Sequence, residues 1–139
     1  MEQNGAYLTT GLKNSMILFI IFISHWYLSL FVQTFFLHRY ASHQMFKMHP
    51  ITEKIFFILT WIAQGSSFLH PAAYALMHRK HHEYSDTDKD PHSPVLFNNW
   101  FKFMYKTRDE YASFINKVNE GNYTDKTLPR WPLIEKIGD

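Results

Sequence analysis

Met16 to Leu37 read MILFIIFISHWYLSLFVQTFFL, twenty-two consecutive residues without Asp, Glu, Lys or Arg. Wound as a helix at about 1.5 Å per residue the run spans roughly 33 Å, close to the hydrocarbon core of a bilayer, and we read it as a transmembrane helix. His25, Ser29 and Gln33 recur at every fourth position. They form a polar stripe on one side, which should face protein rather than lipid. Upstream, residues 1–14 read as a short exposed lead-in. The run passes straight into Trp26 and Tyr27 without the small-residue site of a cleaved signal peptide. Lys13 is the only cation before the run, whereas Arg39, Lys47 and Lys54 follow it closely. The positive-inside bias therefore places the downstream side in the cytoplasm.

No Gly or Pro interrupts the chain between the run and Pro50, so the helix can continue and carry His38 and His43 into the aqueous interface. On an α-helix a spacing of five turns two side chains about 140° apart. The pair is therefore expected to point to two sides and to serve two different metal ions. A second cluster, His78-Arg79-Lys80-His81-His82, places imidazoles at offsets zero, three and four, which share one helical face. Its helix has a start signal: His70 reads as a cap, Pro71 suits the first helical position, and Ala72, Ala73, Ala75 and Leu76 are good helix formers.

Between the clusters, residues 51–69 are apolar but interrupted by Thr60, Gln64 and Gly65-Ser66-Ser67. They fit a buried or re-entrant helix, and a single crossing there would put the two clusters on opposite sides of a membrane. Residues 83–94 form an Asp-, Ser- and Pro-rich loop. Its carboxylates either orient ligating histidines or are simply solvated. In residues 98–118, Phe101, Met104, Tyr111, Phe114, Ile115 and Val118 fit one helical face, on a helix lying at the membrane surface or in the core. From Gly121 to the end the chain reads as a connector. His25 reads as a polar helix contact and His92 as a loop residue.

Composition narrows the chemistry. The formal charge of +2 is too small to argue for nucleic acid, and the aromatic residues do not alternate with a basic stripe. With no cysteine, disulfides, thiolate metal sites and a cysteine nucleophile are excluded. Nine histidines favour imidazole-bound iron, copper, nickel or zinc. The chain is long enough for one domain.

Taken together, His38-x-x-x-x-His43 just beyond a membrane helix and His78-x-x-His81-His82 after it resemble the first two histidine boxes of the integral-membrane fatty acid desaturases. The surrounding residues, Thr34 to Tyr40 and His78 to His92, look like the acyl-CoA (stearoyl-CoA type, delta-9) desaturases, notably bacterial ones. The resemblance runs from about residue 16 to 132. It implies an all-α integral membrane fold, with the helix at 16–37 followed by cytosolic and interfacial helices over 38–132 that bear both boxes. It implies two non-haem irons with His38, His43, His78, His81 and His82 as ligands, in a bacterial inner membrane with the site facing the cytoplasm. The implied partners are O2, a fatty acyl substrate on CoA or another carrier, and an electron donor resembling cytochrome b5 or ferredoxin. Tyr74, one turn before His78, would line the acyl channel. No histidine follows His92 and no second uncharged run of membrane length occurs, so the family's third box and its membrane hairpin do not occur in these residues. The likeness is thus to the N-terminal portion of a desaturase, expected to bind iron weakly and to be inactive alone. Two other readings stay open: a related histidine-box hydroxylase or alkane monooxygenase, and a non-catalytic membrane protein that binds metal.

Overall fold

The computed structural model describes residues 2–138, with side chains described at Gly11 and from Lys13 onward. Among these residues the secondary structure is entirely helical. Helix α1 (Glu2–Val32) runs without a break into a π-helical segment, Gln33–Ser42. Helices α2 (Pro50–Gln64), α3 (Pro71–Tyr84), α4 (Trp100–Asn119) and α5 (Pro132–Gly138) come after it in order. The lead-in is thus helical from Glu2.

The stretch Lys13–Ser42 is long and apolar enough to cross a membrane, and its large side chains, Phe19 and Phe22 among them, point outward. Helix α2 has 15 residues, about 22 Å of helix, shorter than a hydrocarbon core. It packs back along α1 and the π segment, while Ile51, Ile55, Ile58 and Ile62 form an outward apolar stripe.

Both α2 and α3 begin with the same device. His49 and His70 are the N-caps, each accepting a hydrogen bond at Nδ1 from a backbone N–H, of Ile51 and Ala73 respectively. Each is followed by a proline, which has no N–H to leave unsatisfied at the first helical position. The sequence marks His70 as a cap; the His-Pro pair at 49–50 carries the same signal. Replacing His49 by alanine should cost about 0.5–1 kcal/mol in thermal denaturation in detergent, and His49→Asp should recover most of it.

Two cores position the histidines. Ala41 of the π segment meets Ala72, Ala73 and Ala75 of α3, where short side chains let the backbones approach, and Phe114 and Val118 of α4 close the far side. The second core sets Phe36 edge-on to Phe57 at 5.3 Å, with Trp131 edge-on to Phe57 at 6.1 Å. That contact corrects the reading of the C-terminal stretch as a connector. Helix α5 is tied to α2, and its Glu135 is buried, held by Arg130 at 3.0 Å and by the Trp131 N–H at 2.9 Å. Seven residues with a proline start give little periodicity to read, but these polar bonds and the Trp131 contact suffice to seat them.

The face proposed for α4 is also shorter than its pattern. Phe114 and Val118 are buried, whereas Phe101 is 79% exposed and Met104 lies outward, because the partners of this helix, on α3, meet only its later turns.

Candidate metal centre

Four imidazoles converge where the π segment meets α3. The Nε2 atom of His43 lies 3.3 Å from that of His38 and 3.2 Å from that of His78, and His78 Nε2 lies 3.0 Å from His82 Nε2. All four ligand nitrogens fall within 4.8 Å of one another. His78 and His82 share a face because they are one α-helical turn apart.

His38 and His43 meet for a different reason, which corrects the expected 140° separation. The backbone N–H of His43 bonds the His38 carbonyl at 3.0 Å, and buried Ser42 Oγ bonds the Leu37 carbonyl at 2.8 Å, both spanning five residues. A ladder closed at the fifth residue widens the turn, so residues five apart stand one above the other. The reason for sending the two histidines to opposite sides therefore disappears.

Hydrogen bonding alone does not satisfy this arrangement. Each imidazole nitrogen carries in the ring plane either one proton or one lone pair, so it makes one good hydrogen bond. His43 Nε2 and His78 Nε2 each have two nitrogen neighbours at hydrogen-bond distance. At most two of the three contacts can then be N–H···N bonds. A cation at the centre satisfies all four lone pairs together. Nitrogens held about 2.0–2.1 Å from one ion at tetrahedral or octahedral angles lie about 2.9–3.4 Å apart, and the three nearest pairs here fall in that range, at 3.0–3.3 Å, within a group that spans no more than 4.8 Å.

The electrostatics keep lone pairs available. Burial, reinforced by the neighbouring imidazoles, pulls His78 down to about 4 from its ordinary 6.5, and burial together with His38, His82 and Arg79 lowers His43. At neutral pH neither must shed a proton before binding a cation. Tyr74 stacks parallel on His78 with ring centroids 5.7 Å apart and packs into the second core, fixing the imidazole plane.

Arg79, adjacent to His78, fastens the two histidine elements together. Its Nε donates to the Ser42 carbonyl at 2.6 Å, Nη2 to the Ala41 carbonyl at 3.0 Å and Nη1 to Asp125 Oδ2 at 2.6 Å. These carbonyls end the π segment, where they lack helical partners. Gln44, at φ +51°, donates to Thr127 Oγ1 at 2.5 Å and to Asp125 Oδ2 at 3.3 Å, so the loop before α5 closes over the same joint. Nothing in the residue order of 41–43, 79 and 125 signals this clamp.

His81 stands outside the group of four. Its Nδ1 lies 2.9 Å from both oxygens of Asp90, whose side chain is fully buried. Burial works against the Asp90 carboxylate, but hydrogen bonds from His81 and from the N–H groups of His92 and Asp86 prevail and hold it below its ordinary range. Of the loop carboxylates, Asp90 is thus the one turned toward a histidine of the second cluster. His92 lies in that loop, its ring centroid 6.2 Å from that of His81. His25, Ser29 and Gln33 line a cleft of about 420 Å³ shared with Gln64 and Ser67; Ser29 and Gln33 are half-buried there, whereas His25 is exposed, so only part of the polar stripe is covered by protein.

Comparison with known proteins adds context to the geometry. The sequence model described as fatty acid desaturase matches residues 14–131. A hex-5-enoyl-[acyl-carrier protein] acetylenase of Moorena producens is 40% identical over 75 residues, 53% of this chain and 22% of that protein. A delta-9 desaturase-like 3 protein of Arabidopsis thaliana is 36% identical over 73 residues, 52% of this chain and 23% of that protein. A palmitoyl-monogalactosyldiacylglycerol delta-7 desaturase of the same plant is 38% identical over 68 residues, 48% of this chain and 17% of that protein. The chain therefore spans under a quarter of the length of these relatives. No solved structure matches it.

Proposed function

This chain belongs to the fatty acid desaturase family, and from that membership we propose that its five clustered histidines supply iron ligands for the O2-dependent desaturation of a fatty acyl chain. The observation that carries the reading is the convergence of the four Nε2 atoms of His38, His43, His78 and His82. Neutral imidazoles suit iron while leaving positions open to O2, and the donor set here is imidazole alone. When bound, a pair of irons supplies the oxidising power to take hydrogen from an unactivated methylene.

The balance is two hydrogens removed from adjacent methylenes, O2 reduced to two waters, and two electrons and two protons taken from outside. The electrons require a donor protein resembling cytochrome b5 or ferredoxin. The chain's own residues bind and orient: the π segment and α3 present the imidazoles, Tyr74 fixes the His78 plane, and Arg79 holds the two elements in register. The apolar helix and the family agree on membrane association. We propose that the metal side faces the cytoplasm, because Arg39, Lys47 and Lys54 follow the apolar run; a bacterial inner membrane rests on the likeness to bacterial desaturases alone.

The relatives' names point to an acyl-carrier protein in one case and a galactolipid in another, so the proposal is for the fatty acyl class and not for one carrier. We assign the reaction to the complete catalytic domain, to which this segment contributes its five histidines. The test is the fatty acid profile of a desaturase-free host expressing the gene that encodes this chain. A new double bond, lost in His78→Ala, supports desaturation. A hydroxylated product moves the reading to the hydroxylases, and an unchanged profile with iron-loaded protein contradicts catalysis.

A further inference from the structure

His81 belongs to the same cluster in sequence as His78 and His82, yet its ligand nitrogen is absent from the group that closes around one point. The cause is on the other side of its ring. His81 Nδ1 sits 2.9 Å from each Asp90 oxygen. An ionised carboxylate only accepts, so Nδ1 must donate. In the neutral ring that leaves Nε2 with its lone pair and fixes the ring's direction. The carboxylate is itself immobilised: Asp90 Oδ2 accepts from the Asp86 N–H at 2.8 Å and Oδ1 from the His92 N–H at 2.8 Å. Buried Ser93 Oγ donates to Asp86 Oδ1 at 2.6 Å, closing the loop around it.

We infer that Asp90 is a positioning residue: it holds His81 apart from the four-imidazole pocket, in the tautomer whose Nε2 ligates a separate metal ion. The inference rests on the di-iron reading for the second ion, but its tautomer component stands without any metal. A carboxylate behind a ligating imidazole sets the ring and raises its basicity, and removing such a partner costs about 10–100-fold in metal affinity. Asparagine at this position can turn its amide N–H toward Nδ1, which would move the ring proton to Nε2 and mask the ligand atom.

The experiment is 15N NMR of histidine-labelled full chain in detergent micelles at alkaline pH, first metal-free and then titrated with Zn2+ as a diamagnetic probe. Metal-free His81 should show a protonated Nδ1 and an unprotonated Nε2; a proton on Nε2 overturns the inference. The first Zn2+ equivalent should shift the Nε2 signals of His38, His43, His78 and His82, and later additions that of His81. His81 shifting together with the first four overturns its separation. In Asp90→Asn the His81 event should need about 10–100-fold more Zn2+, with the first event unchanged. Ser93→Ala, which loosens the same loop through Asp86, should leave the His81 tautomer and its Zn2+ event as they are. Equal weakening by both variants would reduce Asp90 to a loop-stabilising residue and overturn the inference. If the four-histidine event never occurs while the tautomer is as stated, the metal reading fails and the positioning by Asp90 does not.

Discussion

Replacing His78 by alanine should lower the affinity for Fe2+ by more than about 100-fold, since loss of a mere supporting partner already costs 10–100-fold. The size of the effect comes from its place among the imidazoles. Its Nε2 is the atom that touches both His43 and His82, so its removal opens the pocket between the π segment and the end of α3. The fold should tolerate the change. His78 lies beside the core and is only partly buried, and the loss of its Tyr74 stack leaves Tyr74 packed on the second core. Equilibrium Fe2+ titration with anaerobic separation of free metal reads the effect, with helicity as the control. His49→Ala, far from the pocket in role, should bind Fe2+ like the parent. Equal affinity for His78→Ala and the parent would remove this pocket as the iron site.

Arg79→Met should be the most damaging change that touches no ligand. Methionine keeps much of the packing of the arginine stem but abandons two carbonyls of buried residues and Asp125. A hydrogen bond to a charged group contributes about 1.5–3 kcal/mol, and partial exposure of Arg79 discounts the Asp125 share, so the loss should be about 2–4 kcal/mol. The consequence for function is larger than for stability alone. The clamp ends on Ser42, the residue before His43, so releasing it frees His43 from its register with His78. Arg79→Lys should recover little, because a single ammonium cannot reach three acceptors with the geometry of the guanidinium. Chemical denaturation in detergent measures the first effect and Fe2+ affinity the second. An Arg79→Met protein that binds Fe2+ as tightly as the parent would show that the joint does not set the site.

Acid should loosen the same joint only at low pH. The Thr127 hydrogen bond, with Arg79 and against some burial, holds Asp125 down to about 2 from 3.8. A carboxylate lowered on folding contributes stability above its unfolded value and loses it as pH falls through the folded one. The Asp125 contribution should therefore persist above pH 3.8 and fade toward about 2. His78 acts in the same direction at milder pH. The unfolded chain takes up a proton near 6.5 that the folded chain refuses until about 4, so stability falls with pH across that interval.

How much of the structure is legible in the sequence depends on the range of each cause. The membrane-length run, the second histidine cluster and the His70 cap depend on neighbours within one or two helical turns, and all three can be read from residue order. The meeting of His38 with His43 cannot, because a rule of about 100° per residue presumes an α-helix. The π ladder is favoured by contacts with α3 and by Arg79, thirty-seven residues from Ser42. Asp90 is one of several acidic residues in its loop, and only tertiary structure selects it as the partner of His81. Helix α5 has a readable proline start at Pro132, but its anchors, Phe57 and Phe68, lie in distant segments. Phe101 and Met104 have the correct period for α4 and still face outward, since period defines a face and not what covers it.

The most direct test of the central claim is iron K-edge X-ray absorption of the full chain, purified in detergent and loaded with Fe2+. Convergence of His38, His43, His78 and His82 predicts bound iron with several imidazole ligands, nitrogen at about 2.0–2.2 Å and the outer-shell scattering of the rings. Iron surrounded by oxygen with no imidazole scattering, at Fe2+ concentrations that load the protein, would contradict the assignment of these four histidines to a metal centre.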